Sequence, residues 1–388
     1  MGNPIVSCIV PMYNSQRTIC ECLQSIVKID CSPLEVLIVD DGSTDQSLEL
    51  VQEFISMEHR PGIEFSILVH QKNRGISASR NLALEKMNGE FFFFADADDI
   101  HYPHRASSPL AYLHDNPGVD IVYSDIDLWH EAKGAGAVVK RGFPDGMTNE
   151  NAFLYQLHRS HLWSGVLFAR RSAKLDFDVS LSSAVDYDWY FNQYFHGRTI
   201  HFIDQSLARY RLHERNTSKK LSKSSENVVR ILQKYDFEKE YARMLYESNT
   251  DDLHLAFASV NLTLGQFELT LEKLESVRED SFGKNFTTGV VHASMGNYEL
   301  AAEKFRSLCD HFPEHPECLN NLAFCLCNID GPNDEAVSLL QFAREKNPDY
   351  LDARHNQSLL ISDSFDVWQL ILTMKPLRQN LTHLDKYN

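Results

Sequence analysis

Basic residues are in short supply in this chain: 37 Lys and Arg stand against 54 Asp and Glu, a formal net charge of -17. That balance leaves no broad electrostatic pull toward nucleic acid or anionic lipid, so a phosphate-bearing ligand would need a local cation. No apolar run is long enough to span a bilayer. The opening MGNPIVSCIVPMYNS is interrupted by prolines and has no small-residue cleavage site, so a signal peptide is not expected, and Val6 stands where a myristoylation pattern needs Ser or Thr. Eight cysteines (Cys8, Cys20, Cys22, Cys31, Cys309, Cys318, Cys325 and Cys327) form no CxxC pair and no regular framework. The expectation is a cytoplasmic chain with reduced thiols, with attachment to the inner face of the membrane left open.

A length of 388 residues exceeds what one hydrophobic core usually organises, so at least two domains are expected. The first third alternates strand and helix. IVSCIVPMY, LEVLIVDDGS, FSILVHQ and GEFFFFADADD read as buried strands. Between them QRTICECLQSIVK carries Ile19, Leu23 and Ile26 on one helical face, STDQSLELVQEFI carries Leu48, Val51 and Ile55, and ISASRNLALEKM completes the series. This predicts an α/β domain with a mainly parallel sheet and helices on both faces. VDIVYSDIDLWH and GVLFARRSA read as further strands, and AVDYDWYFNQYFHG as an aromatic-rich helix. The Lys/Ser-rich RNTSKKLSKSSEN reads as a linker or mobile loop, with one helix, NVVRILQKYDFEKEYARMLYE, after it. The expected boundaries are 1–220 for the α/β domain, 221–250 for linker and connecting helix, and 251–388 for a second, all-α domain.

In that last portion LTLGQFELTLEKLESV recurs as ASMGNYELAAEKFRSL, and more faintly as CNIDGPNDEAVSLLQFA. The spacing is near the ~34 residues of a tetratricopeptide unit, which the segment resembles, although the tryptophan of that pattern is missing. The resemblance puts Gly265 and Gly296 at a close helix contact, Ala301 and Ala336 at matching small positions, and Pro313 and Pro348 after helix ends. Such units stack into a superhelix and suit a protein partner or self-association.

Asp96, Asp98 and Asp99 leave the end of the buried FFFF strand, a clustering of like charge that a divalent cation and its phosphate ligand would neutralise. In an open α/β sheet the ligand crevice lies at the carboxyl ends of the strands, where this cluster falls. Alternation would turn Asp96 and Asp98 to one side, with Asp99 capping the turn. A solvated acidic loop is the plain alternative. VDDGSTD places Asp40 and Asp41 at a second strand end, able to accept hydrogen bonds from a base or ribose, while Ser43 and Asp45 read as helix caps. VPMYNS is a third exit, where Pro11 stiffens the loop and Tyr13 offers a stacking face. QKNRGISASRN supplies Lys72, Arg74 and Arg80, and Arg80 in the first turns of a helix can pair with a carboxylate or a diphosphate.

SCIVPMYNS, LIVDDGSTD, NRGISASRN and GEFFFFADADD, in this order, resemble the glycosyltransferase family 2 pattern of the GT-A fold over about residues 4–215. The resemblance implies a nucleotide-sugar donor, a UDP-sugar above all, with base contacts by Pro11, Tyr13 and Asp40 or Asp41, and ribose contact by Asp96. It also implies Mn²⁺ or Mg²⁺ on Asp98. SSAVDYDWYFNQ resembles the family's acidic motif and makes Asp186 the general base, although Val185 stands where many members have Glu; Asp188, turned roughly 200° from Asp186 on a helix, is the rival. YRLHERNTSK resembles the closing segment, in which Arg211 and His213 reach the diphosphate or metal, and the Lys/Ser-rich stretch after it would be a lid. Trp163 either stacks an acceptor sugar or fills a core. The implied activity is inverting transfer of a sugar to a glycan, lipid-linked or protein hydroxyl. Its rivals are a nucleotidyltransferase, disfavoured by the absence of a Gly-rich basic loop after the first strand, and an inactive transferase-like scaffold that binds partners through its helices.

Overall fold

The computed structural model describes residues 6–130, 138–212, 221–348, 350–362 and 365–376. The chain divides into two compact units, Met1–Ile231 and Leu232–Asn388. In the first, β1 (Val6–Met12), α1 (Ile19–Ile26), β2 (Leu34–Asp40), α2 (Ser47–Met57), β3 (Ile63–Val69), α3 (Ile76–Lys86) and β4 (Phe91–Phe94) alternate as the hydrophobic runs require. There follow β5 (Ile100–His101), α4 (Ser107–Asp115), β6 (Ile121–His130), β7 (Val138–Lys140), α5 (Ala152–His158), β8 (Leu167–Arg170), α6 (Val185–Phe195) and β9 (Ile200–Leu212).

One sheet takes the order β3-β2-β1-β4-β8-β6-β9-β5, with β7 paired to β6. β3, β2, β1 and β4 are parallel. Beyond β4 the expectation of a mainly parallel sheet needs correcting. β8 runs antiparallel to both β4 and β6, β5 antiparallel to β9, and β6 parallel to β9, so this half is mixed.

The four phenylalanines of β4 explain its central place. Phe91 and Phe93 stack on Phe168 of β8, and Phe93 joins the core formed by β1 and α1. Phe92 and Phe94 point the other way, and Phe94 meets Phe177 and Trp189 edge-on. A strand covered on both faces has no reason to alternate apolar with polar residues. Pro11 lies inside β1, opposite Val39, rather than in the loop beyond it. Its missing N–H is tolerated because pairing of β1 with β4 stops at Ile9.

The Lys/Ser-rich stretch read as a linker is helical from Leu221 onward, in α7 (Leu221–Lys234). The single helix expected after it is two helices, because Asp236 caps a new start by accepting the Lys239 N–H at 3.0 Å. The second unit is all-helical: α8 (Phe237–Glu247), α9 (Asp251–Thr263), α10 (Phe267–Glu275), α11 (Phe282–Ser294), α12 (Tyr298–His311), α13 (Pro316–Asp330), α14 (Asp334–Lys346) and α15 (Leu351–Leu360). Gly265 and Gly296 are not close-contact positions. They end α9 and α11 at φ of +71° and +80°, with open space where a Cβ would go. The close contact belongs to Gly289, whose Cβ would meet the Phe305 ring at 2.9 Å. Ala301 and Ala336 are fully buried, and Pro313 and Pro348 follow helix ends as expected. All eight cysteines are free thiols. Among the described residues no helix is long and apolar enough to cross a membrane.

Candidate active site

The carboxyl ends of β1, β2 and β4 carry the motifs. Tyr13, just past β1, is 47% exposed. Its loop is zipped to the one after β2: Asn14 N–H donates to Ser43 Oγ at 3.0 Å, Thr44 N–H to Asn14 Oδ1 at 2.8 Å, and Ser15 N–H to Ser47 Oγ at 2.7 Å. Ser43 therefore bridges loops instead of capping α2, while Asp45 does accept the Ser47 N–H. Asp40 is buried and accepts the Ser43 N–H at 3.3 Å on both oxygens. Asp41 is more fully committed, accepting the N–H groups of Arg74 and Gly75 at 2.8 Å each. The loop after β3 is thereby pinned to the exit of β2, and Gly42 permits it: its φ is +71°, and a Cβ would lie 2.8 Å from the Lys72 backbone.

Residues 96–99 are a turn closed by the Asp99 N–H to the Asp96 carbonyl at 3.1 Å, so strand alternation does not govern where these side chains point. Asp99 is 1% exposed and accepts the Arg211 N–H from β9 at 3.0 Å. It ties the turn to β9 rather than capping the residues after it. Arg211 is buried, donates from Nε to the Asp98 carbonyl at 2.8 Å, pairs with Glu21 of α1, and lies 4.3 Å over the Trp129 ring. In this arrangement the Arg211 guanidinium braces the acidic turn. Burial pushes the Asp96 carboxyl above the usual range, with Asp98 and Asp186 adding repulsion against the pull of Arg80. Asp99 is pushed well above it by burial and then by Asp98 and Asp96. His213 lies outside the described residues.

Arg80 joins the two halves of the site. On α3, at 2% side-chain exposure, it donates from Nη2 to Asp96 Oδ1 at 3.1 Å and from Nη1 to Asp186 Oδ1 at 3.0 Å. Phe94 and Phe177 lie 5.0 and 5.1 Å from the guanidinium carbon, holding the fork in one plane. Asp186 stands in the first turn of α6, where the helix dipole favours a carboxylate, and keeps 31% side-chain exposure. The residue before the helix, Ala184, has φ 57° and ψ 24°, a left-handed conformation that costs a non-glycine residue about 1–2 kcal/mol. Backbone strain of this kind clusters where a side chain must be presented in one orientation. Asp188 is 3% exposed, so of the two acids on α6 only Asp186 combines solvent access with the Arg80 pairing.

Two buried groups behind the turn escape the sequence reading. Arg105 is fully buried, and its Nη2 donates to the carbonyls of Phe94, Gly165 and Leu167 at 3.3, 3.2 and 2.8 Å while the guanidinium covers the Phe93 ring. It stitches β4 to β8 just before the acidic turn; burial pulls it down to about 10. Nothing in HYPHRASSP separates it from a surface arginine. His101 is 2% exposed and neither ring nitrogen has a partner among the described residues; burial, with the Arg105 charge adding to it, drives the imidazole down to about 3. The folded chain therefore holds it neutral while the unfolded chain protonates near 6.5. Its contribution to stability is complete above that value and is lost as pH falls toward the folded pKa. His101→Phe is expected to spare about 2 kcal/mol of the stability that the wild type loses between about pH 7 and pH 5. Denaturant melts of both proteins at the two pH values check this. Trp163 packs at 4.8 Å on the buried Arg141 and at 5.4 Å on Tyr210, with part of its surface exposed.

Residues 7–181 match the sequence model of Glycosyl transferase family 2. The glycosyltransferase GlyA of Streptococcus pneumoniae is 25% identical over 356 residues, covering 85% of this chain and 48% of that protein. A chondroitin synthase of Escherichia coli is 29% identical over 235 residues, covering 59% of this chain and 32% of its own length. The chain thus spans about half the length of the first relative (48%) and about a third of the second (32%). Among solved structures, S. aureus TarS 1-349 in complex with UDP-GlcNAc superposes with a TM-score of 0.47 at 20% identity, over 97% of this chain and 96% of that one. Residues 7–181, which carry the motifs at the strand ends, are thus similar to a glycosyltransferase family 2 domain over somewhat less than half of the chain.

Proposed function

We propose that this chain transfers a sugar from a nucleotide-sugar donor, a UDP-sugar in the first instance, to a hydroxyl of a glycan, lipid-linked or protein acceptor with inversion at the anomeric carbon. The observation that carries this reading is Arg80, which gathers an acid from the exit of β4 and an acid from the start of α6 onto one buried guanidinium. Asp186 takes the proton of the acceptor hydroxyl as its oxygen bonds to the anomeric carbon; the bond from that carbon to the phosphate oxygen breaks, and the nucleoside diphosphate leaves with the electron pair. Tyr13 stacks the base, Asp40 and Pro11 border it, and Asp41 positions the loop that closes the base pocket. Asp96 has one oxygen on Arg80 and its other available to the ribose.

Among the described residues no group of three or more His, Cys, Asp or Glu could by itself hold a metal ion. The acidic turn instead fits Mn²⁺ or Mg²⁺ arriving with the donor, because such ions accept one or two carboxylates plus phosphate oxygens. The mutual repulsion of Asp96, Asp98 and Asp99 marks a place where positive charge is wanted. Asp98 is the residue assigned to the ion, with His213 as a further ligand, and the bound ion would offset charge building on the departing diphosphate. The helical unit, read as tetratricopeptide-like, serves a protein partner or self-association, and the reduced thiols suit a cytoplasmic setting.

The test is release of UDP from a panel of UDP-sugars with Mn²⁺ and with a chelator. Turnover that the chelator abolishes, and that Asp98→Ala lowers by about 10³-fold without loss of fold, is the expected result. Wild-type turnover in Asp98→Ala would remove the metal role, and no turnover with any donor would favour the scaffold reading.

A further inference from the structure

Asn320 and Asn321 of α13 and Asn356 of α15 are at most 1% exposed. Carboxamides so deeply placed are costly unless their donors and acceptors are met. What meets them is the backbone of the short segment after the last helix. Asn356 donates to the Ile371 carbonyl at 2.8 Å and accepts the Ile371 N–H at 2.7 Å. Asn321 donates to the Thr373 carbonyl at 2.9 Å and accepts the Thr373 N–H at 2.8 Å. Each carboxamide pairs with both polar groups of one residue, and the paired residues are two apart, which is the spacing an edge strand offers an added strand. Asn320 lies between them, accepting from Asn356 at 2.9 Å and donating to the Ile371 carbonyl at 3.2 Å.

The side chains of the segment are read as well. Leu370 is buried and Leu372 half-buried, each in an apolar cluster of the helices. Ile371 and Met374 face outward at 38% and 41% exposure. Thr373 has its hydroxyl fully used: it donates to Asp352 Oδ2 at 2.7 Å and accepts from Tyr350 and, at 3.3 Å, from Asn320. Backbone clamps hold any extended chain, and the two apolar seats with the hydroxyl site supply selectivity.

We propose that α13, α14 and α15 form a backbone-reading peptide site, filled here in cis by Leu370–Met374, that accepts in trans an extended partner peptide with the pattern leucine, any residue, leucine, threonine. The threonine matters because a site that satisfies a hydroxyl three ways rejects the isostere that lacks it.

The probe is a fluorescent peptide with the sequence of residues 366–375, titrated by anisotropy into the full chain. Leu372→Asp with Thr373→Val weakens the cis segment and is expected to tighten peptide binding at least about tenfold over the wild-type chain. Adding Asn321→Ala and Asn356→Ala, or using a peptide with valine for the threonine, is expected to remove that gain. A cis-weakened chain that keeps its helical circular dichroism and binds no better than wild type would overturn the proposal. So would equal binding with the clamps removed. Hydrogen exchange on the unmodified chain gives an answer even if the variant does not fold. The Ile371 and Thr373 amides are expected to exchange at least about tenfold faster than the interior amides of α13. Equal protection would make the segment a fixed cap and end the idea.

Discussion

Replacing Arg80 with alanine is expected to destabilise the N-terminal unit by about 3–5 kcal/mol and to abolish transfer, the larger of these losses being the catalytic one. Arg80 is 2% exposed and is the counter-charge that Asp96 and Asp186 share at 3.1 and 3.0 Å. Without it two carboxylates face each other across an apolar gap lined by Phe94 and Phe177. Arg80→Lys separates charge from geometry, since an ammonium is a point charge that cannot repeat a planar fork. That variant is expected to fold yet lose about 10²-fold in kcat, because Asp186 is no longer held in line with the acceptor. Pairing Arg80→Met with Asp186→Asn should restore part of the lost stability and none of the activity. Guanidinium melts and turnover on the four proteins check this; full activity in Arg80→Lys would show that the fork does no positioning.

The second large effect is expected at Asp186. Asp186→Asn keeps the size of the side chain and its contact with Arg80 but removes the carboxylate proposed as the proton acceptor, so kcat is expected to fall about 10²–10⁴-fold with donor affinity close to wild type. Asp188→Asn is expected to act on stability instead, because at 3% exposure Asp188 is out of reach of an acceptor from solvent and a buried polar group is ordinarily held by hydrogen bonds within the fold. If Asp188→Asn cost the activity and Asp186→Asn did not, the assignment of the base would be reversed.

Much of the first half of the fold could be read from the residues because β1, β2 and β4 are covered on both faces and read as near-continuous apolar runs, broken only by Ser7 in β1 and by Glu35 and the terminal Asp40 in β2. The mixed half was less legible. β9 runs through thirteen residues from Ile200 to Leu212 with a ragged burial pattern, and β5 and β7 are two and three residues long, too short for any periodicity to show. The motifs were legible in order and position, but not the division of labour among their acids. Asp41 serves the amides of Arg74 and Gly75, and Asp99 serves the amide of Arg211. Which carboxylate holds backbone and which faces ligand depends on segments far apart in the chain, which no local pattern encodes. The same distance hid the three carbonyls gathered by Arg105 and the clamp that Asn321 and Asn356 close on residues 371 and 373. The glycines of the helical unit were visible as a repeat. Their reason, positive φ at helix ends rather than close packing, was visible only in three dimensions.

Calorimetry of UDP binding probes the account at its root, the claim that acids crowded at the end of β4 await a cation carrying a nucleoside diphosphate. With Mn²⁺ present the titration should show saturable binding, and a chelator or Asp98→Ala should weaken it by at least about tenfold. Absence of binding with Mn²⁺, or binding indifferent to both changes, would contradict it.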